Sequence, residues 1–256
     1  MRIAAVQHDI VWEDRDANFG LLAPVITRAA DDGARLVLLT EMCSTGFSMH
    51  TDSVAEPFDG PSAQFLQEQA RARGVWVGGS VPEVQPGHER PSNCFILAGP
   101  DGTTHRYCKI HPFSYSGEDE VYDAGDTLVT VTVDDLRLTL FVCYDLRFTD
   151  EFWSVAADTD CYLVPANWPA QRRDHWRTLL RARAIENLAY VVGANRVGRG
   201  GKIEYVGDSA IVGPFGEELA DAGSHATILC ADVDPAVVRG TRERYPFLAD
   251  RRAGLR

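Results

Sequence analysis

Three short apolar runs near the N-terminus constrain the fold of this chain more than any other feature. Ile3 to Gln7, Leu36-Val37-Leu38-Leu39 and Val75-Trp76-Val77-Gly78-Gly79 are each of strand length and too short to span a bilayer. Two segments of helical period separate them. In the first, Phe19, Leu22, Val25, Ile26 and Ala29 share a face, with Asp14 or Asp16 as the cap and Gly33 at the end. In the second, Pro61 opens a helix over Ser62 to Arg73, and Gly74 closes it. Strand, helix, strand, helix, strand implies right-handed crossovers and an α/β fold. The 256 residues suit one domain over 1–256, and a hydrophobic fraction of 45% supplies a substantial core.

The middle of the chain changes character. Asn93 to Ala98 and Thr103 to Tyr107 flank Gly99-Pro100-Asp101-Gly102, which reads as a hairpin. A second hairpin turns at Val133-Asp134-Asp135-Leu136, between 128–133 and 137–142. The polar stretch Lys109 to Asp126 between them is long for a connection, a length found in functional or disordered loops. A short helix (Thr149 to Ala156) and a strand (Cys161 to Pro165) follow. The strongest helical pattern is Asp174 to Ala189, with Trp176, Leu179, Leu180, Ala184 and Leu188 on one face. Strands are expected at Tyr190 to Ala194, Asp208 to Val212 and Thr227 to Val233, the last two separated by the turn Pro214-Phe215-Gly216. Gly198-Arg199-Gly200-Gly201 lacks the context of a phosphate-binding loop and reads as a turn.

A formal net charge of −12 argues against nucleic acid and anionic membranes as partners. No apolar stretch reaches the length of a membrane span, and the N-terminus reads directly as a strand without a signal-peptide core. A cytoplasmic location follows as an expectation, and with it six thiols rather than disulfides: Cys43, Cys94, Cys108, Cys143, Cys161 and Cys230. The seven histidines are scattered, so no metal or other cofactor is expected.

Three residues of complementary chemistry each stand just past a strand. Glu41 follows Leu38-Leu39-Thr40, Lys109 follows the strand ending at Tyr107, and Cys143 follows Leu138-Thr139-Leu140-Phe141-Val142. Strand ends on one side of an α/β sheet converge even when distant in sequence. A carboxylate, an ammonium and a thiol there would form an acyl-transfer site. Cys143 would be the nucleophile, Glu41 the proton carrier, and Lys109 the group favouring thiolate and oxyanion, with the Tyr144 N–H as a second oxyanion donor. A Cys–His arrangement with His111 as base is the competing reading, and a non-catalytic scaffold a third. A redox role for Cys143 would need a resolving partner such as Cys43 or Cys161.

Thr40-Glu41-Met42-Cys43-Ser44-Thr45-Gly46-Phe47, Tyr107-Cys108-Lys109-Ile110-His111 and Cys143-Tyr144-Asp145-Leu146-Arg147-Phe148 together resemble the motifs of the nitrilase superfamily of carbon–nitrogen hydrolases, over essentially the whole chain. The resemblance implies a four-layer α-β-β-α sandwich with mixed sheets, usually paired as a homodimer. It places that family's Glu–Lys–Cys triad on Glu41, Lys109 and Cys143. It also implies a second glutamate seven residues before a glycine; with Gly125 as that glycine the match is Glu118, and Glu120 is the near rival. Ala166-Asn167-Trp168-Pro169 and His175-Trp176, leading to Ala182-Arg183-Ala184-Ile185-Glu186-Asn187, are most similar to the omega-amidase branch, in its bacterial form above all. That branch implies hydrolysis of the terminal amide of 2-oxoglutaramate, 2-oxosuccinamate or a similar monoamide through a cysteine thioester. The alternatives within the family are a deaminated glutathione amidase and an N-carbamoyl amino acid hydrolase. The distal carboxylate of such a substrate calls for an arginine, and Arg147 is the candidate; its structural alternative is an ion pair with Asp145 or another carboxylate. Asn167 and Trp168 are expected to wall the pocket, and Phe47 and Phe113 to line it. The arginine-rich tail 239–256, with Tyr245-Pro246-Phe247-Leu248, is expected either to be solvated or to clasp a partner subunit.

Overall fold

The computed structural model describes residues 1–252. Strand β1 (Arg2–Gln7) leads into α1 (Arg15–Asp31), β2 (Leu36–Leu38), the single turn α2 (Thr51–Val54), α3 (Pro61–Arg73) and β3 (Trp76–Val84). The hairpin β4 (Pro91–Ala98) and β5 (Thr104–Cys108) follows. Next come α4 (Glu118–Val121) and a second hairpin, β6 (Thr130–Val133) and β7 (Leu136–Leu140). The second half continues with α5 (Thr149–Ser154), β8 (Cys161–Ala166), α6 (Arg173–Asn187) and β9 (Tyr190–Asn195). The ribbon β10 (Val197–Gly200) and β11 (Ile203–Val206), then β12 (Ala210–Val212), β13 (Glu218–Asp221), β14 (Thr227–Asp232) and α7 (Pro235–Arg244), complete it.

The strands form two six-stranded mixed sheets, in the orders β14-β1-β2-β3-β4-β5 and β13-β12-β9-β8-β7-β6. Each has a parallel centre, β1-β2-β3 in one and β7-β8-β9 in the other, with antiparallel strands outside. The alternation of side chains along a strand explains why the apolar runs are unbroken. Ile3, Ala5, Leu36 and Leu38 face the core between the sheets, whereas Ala4, Val6, Val37 and Leu39 pack with Leu22 and Ile26 of α1 and Leu66 of α3. On the outer side of the second sheet, α6 lays Trp176 and Leu180 against β9. Gly193 makes that approach possible, because a Cβ there would stand 2.8 Å from Leu180 and from the Trp176 ring. The result is the expected helix–sheet–sheet–helix sandwich.

Asp14, not Asp16, caps α1, accepting from Ala17 N at 3.0 Å. Gly74 closes α3 in the left-handed region at φ 67°. The structure departs from expectation in three places. Helix α6 ends at Asn187, because Leu188 turns left-handed at φ 47°. The supposed turn at Gly198 to Gly201 is mostly strand β10, with only Gly201 in the bend. An extra strand, β13, follows the turn at Pro214 to Gly216. The tail begins as helix: Val238 is buried, and Arg242 donates to Thr159 O at 2.7 Å and Asn187 O at 3.0 Å. Arg242 ties the start of the tail to its own chain, most of 243–252 is exposed, and 253–256 lie outside the described residues.

Candidate active site

Each of three strand ends releases its chain through a tight turn into the same place. After β2, Met42 adopts φ 45°, and its N–H donates to Ser80 Oγ at 2.9 Å, which fixes the backbone beside Glu41. After β7, Cys143 adopts φ 47° and opens a 3₁₀ turn, Cys143–Arg147. A non-glycine residue there carries strain of order 1–3 kcal/mol, which surrounding structure must hold. Asp145 supplies the hold: its carboxylate accepts from Val142 N at 2.9 Å, Tyr107 OH at 2.8 Å and His111 N at 3.0 Å. Burial nevertheless pushes the Asp145 carboxyl up to about 6. The Tyr144 N–H lies in the first turn of this 3₁₀ segment, where backbone donors lack intrahelical partners. Lys109 follows β5; its N–H donates to Asn93 O at 2.9 Å and its carbonyl accepts from Gly125 N at 2.8 Å.

Glu41, Lys109 and Glu118 are all but fully buried and bonded to one another. Lys109 Nζ donates to Glu41 Oε1 at 2.9 Å and to Glu118 Oε2 at 2.8 Å. Asn93 braces both acids, its Nδ2 donating to Glu41 Oε1 at 2.8 Å and Glu118 Oε1 at 2.9 Å, while Ser80 Oγ donates to its Oδ1 at 2.7 Å. Glu118 Oε2 also accepts from Phe113 N at 2.5 Å. Every neighbour of the two carboxylates in this network is a donor, a set that fits ionised acids. Glu118 stands in α4, inside the long polar connection, and Glu120 is exposed. Between Glu118 and Glu120, only Glu118 reaches the lysine. Asn167 closes the network from the second sheet, with its N–H on Glu41 Oε2 at 2.7 Å and Nδ2 on Glu41 O at 2.6 Å.

The electrostatics modify one expectation. Burial opposes the charge on Lys109, but Glu118 and Glu41 outweigh it and hold the ammonium charged. Burial pushes the Glu118 carboxyl up against that same lysine. Burial first, then Glu41, pushes the Cys143 thiol well above its ordinary range, and Lys109 recovers only part of this. The resting nucleophile is thus a neutral thiol beside a carboxylate rather than a standing thiolate.

Cys143 opens into a pocket lined by Phe47, Phe113, Arg147, Asn167 and Trp168, all expected from sequence, and by Tyr144, expected only for its backbone N–H. Arg172, Ile203 and Tyr205 also line it. Arg147 has no acidic partner among the described residues. Asp145 is occupied by other donors, and the Arg147 guanidinium instead lies 3.0 Å from His175 Nδ1 and 4.8 Å from the Trp168 ring centroid. Arg172 sits 5.1 Å over Phe113, likewise without an acid. Burial, then Arg172, weakens Arg147's hold on its proton, so two like charges face one pocket. His111 is turned elsewhere, 2.8 Å from Glu151 Oε1 and stacked on Phe148 at 3.6 Å. Cys43 packs in the helix layer, and Cys143 in the core between the sheets. Sequence reasoning missed Asn93, which precedes a buried cysteine in a strand, and Arg172, one of several arginines in its stretch.

A sandwich of two mixed sheets with a buried Cys–Glu–Lys cluster at converging strand ends defines a class of thiol-dependent hydrolase scaffold. The chain belongs to the carbon–nitrogen hydrolase family, whose sequence profile matches residues 2–243. It is 38% identical to the omega-amidase YafV of Escherichia coli K12, covering 98% of this chain and 96% of that protein. It is 37% identical to the 2-oxoglutaramate amidase of Paenarthrobacter nicotinovorans, over 75% of this chain and 68% of that one. The structure of XC1258 from Xanthomonas campestris, a CN-hydrolase superfamily protein with an arsenic adduct in its active site, superposes with a TM-score of 0.94. It is 32% identical, covering 100% of this chain and 98% of that one. The protein is accordingly a hydrolase of carbon–nitrogen bonds. Among the described residues no helix is long and apolar enough to cross a membrane.

Proposed function

We propose that this chain is an omega-amidase, releasing ammonia from the terminal amide of a short dicarboxylic acid monoamide such as 2-oxoglutaramate or 2-oxosuccinamate. The observation that carries the reading is the pairing of a Cys–Glu–Lys cluster with Arg147 and Arg172, which line the same pocket without an acid of their own. A guanidinium fits a carboxylate in a bidentate way, and a pocket with two of them selects an anionic substrate. The names of the Escherichia and Paenarthrobacter relatives support the same substrate class.

In the proposed mechanism the Cys143 thiol attacks the amide carbon as Glu41 takes its proton. The developing oxyanion accepts from Lys109 Nζ and the Tyr144 N–H. Glu41 then delivers the proton to the departing nitrogen, ammonia leaves, and a thioester remains on Cys143. Water, deprotonated by Glu41, hydrolyses it. Glu118 and Asn93 keep Lys109 charged and aimed. Asn167 and Trp168 wall the pocket, with Phe47 and Phe113 as its apolar sides. The enzyme works in the cytoplasm as a homodimer. The exposed Phe215, Val237 and Phe247, on or beside α7, offer an apolar face for the second copy.

Acid quenching during turnover of 2-oxoglutaramate tests the reading. Intact-mass analysis should find an acyl adduct on Cys143, absent from Cys143→Ala, which should release no ammonia. A Cys143→Ala protein with near wild-type turnover would overturn the mechanism.

A further inference from the structure

The β4–β5 hairpin carries two cysteines directly opposite one another, Cys94 and Cys108. Two cross-strand bonds fix their place in the ladder: Lys109 N–H to Asn93 O at 2.9 Å and Gly99 N–H to Thr103 O at 2.7 Å. Stepping inward from either bond places Cys94 and Cys108 at a non-hydrogen-bonded position, where opposed Cα atoms approach to about 4.5 Å. A disulfide accepts Cα separations of roughly 4.4–6.8 Å. The two side chains project from the same face of the sheet, directly across from one another. Cys94 is wholly buried. Cys108 is half-buried and borders an open cleft lined also by His88, Ser92, Arg106 and Gly125.

We infer that Cys94 and Cys108 form a peroxide-reactive dithiol, a modification site separate from the nucleophile, that closes reversibly to a disulfide. The two thiols are unequal in the way such a site needs. Cys108 borders the cleft and is held below the ordinary thiol range by its neighbours Cys94 and Ser92 against burial, while the enclosed Cys94 is pushed well above it. The Cys108 thiolate attacks a peroxide oxygen, giving a sulfenic acid and releasing the alcohol or water as the O–O bond breaks. The Cys94 sulfur then displaces the sulfenic oxygen, which leaves as water with the Cys94 proton. Two electrons pass from the thiols to the peroxide. The consequence reaches the active site, because Cys94 directly follows Asn93 and Cys108 directly precedes Lys109. Closing the bridge fixes the separation of the strand segments that aim both side chains.

The test uses Cys143→Ala protein, so that the nucleophile cannot react. After hydrogen peroxide and alkylation, non-reducing trypsin digestion should yield Tyr107-Cys108-Lys109 joined to the peptide carrying Cys94, two hydrogens lighter than the pair. Dithiothreitol should separate them, and Cys94→Ser should abolish the bridge and leave Cys108 over-oxidised. In active enzyme, Cys108→Ser should retain more activity than wild type after peroxide. Full alkylation of Cys94 and Cys108 as free thiols, at a peroxide dose that oxidises Cys143 in wild type, would overturn the inference.

Discussion

Asn93→Ala should damage this enzyme out of proportion to its size. The side chain does not line the pocket, but its Nδ2 donates to both buried glutamates, at 2.8 and 2.9 Å. A hydrogen bond to a charged group contributes about 1.5–3 kcal/mol, so the two together are worth roughly 3–6 kcal/mol. Water entering the space left by the amide recovers part of this, leaving an expected loss of about 3 kcal/mol. In a chain of this length that lowers Tm by roughly 6–12 °C. Each carboxylate then leans harder on Lys109, and the ammonium moves off the oxyanion position. We expect kcat for amide hydrolysis to fall by at least about tenfold, the equivalent of roughly 1.4 kcal/mol in the barrier, with KM changed less. Calorimetry and steady-state ammonia release check both halves. A double-mutant cycle with Glu118→Gln should return a coupling of about 1 kcal/mol or more, as for contacting residues in one network. Additive effects, or an Asn93→Ala enzyme with wild-type Tm and kcat, would refute the view that this amide organises the site.

Other perturbations separate the remaining roles. Glu41→Gln removes a charge that pushes the Cys143 thiol up and leaves Lys109 pulling it down, so iodoacetamide alkylation of Cys143 should begin at a lower pH than in wild type. Amidase activity should meanwhile fall by about 10²–10⁴, the span of a lost general base. Arg147→Ala should raise KM for 2-oxoglutaramate by roughly 10–150-fold, an ion-paired hydrogen bond's worth, with much less effect on a neutral amide. Because burial raises Asp145 to about 6 from an unfolded value near 3.9, the folded state holds an extra proton between those pH values. Its stabilising contribution is present below about pH 4 and lost as pH rises through 6. Subtracting the stability–pH curve of Asp145→Asn from that of wild type should reveal that slope.

Much of this was legible in the sequence, for identifiable reasons. The runs at Ile3, Leu36 and Val75 could be read because strands buried on both faces leave no polar gap. Glu41, Lys109 and Cys143 each follow a strand directly, but it was the resemblance of their three motifs to one family that placed them together, and the same resemblance, through Gly125, that favoured Glu118 over Glu120. What stayed hidden depends on partners distant in the chain. Asn93 matters only because β4 lies beside β5 and opposite the turn after β2. Arg172 matters because the 3₁₀ turn after Pro169 brings it over Phe113, and nothing local distinguishes it from Arg173. The thiol state of Cys143 balances burial against two opposing charges, which spacing cannot weigh. The strand β13 is short and largely exposed, so it carries no apolar signature.

On the proposed function, this pocket prefers amides whose far end is a carboxylate. The measurement that tests it most directly is kcat/KM for ammonia release from 2-oxoglutaramate beside butyramide, deaminated glutathione and an N-carbamoyl amino acid. With two guanidiniums in the pocket that have no acidic partner among the described residues, each able to supply about 1.5–3 kcal/mol to a carboxylate, the monoamide should lead butyramide by about a hundredfold or more. Equal rates on the charged and neutral amides, or turnover confined to another member of the panel, would contradict it.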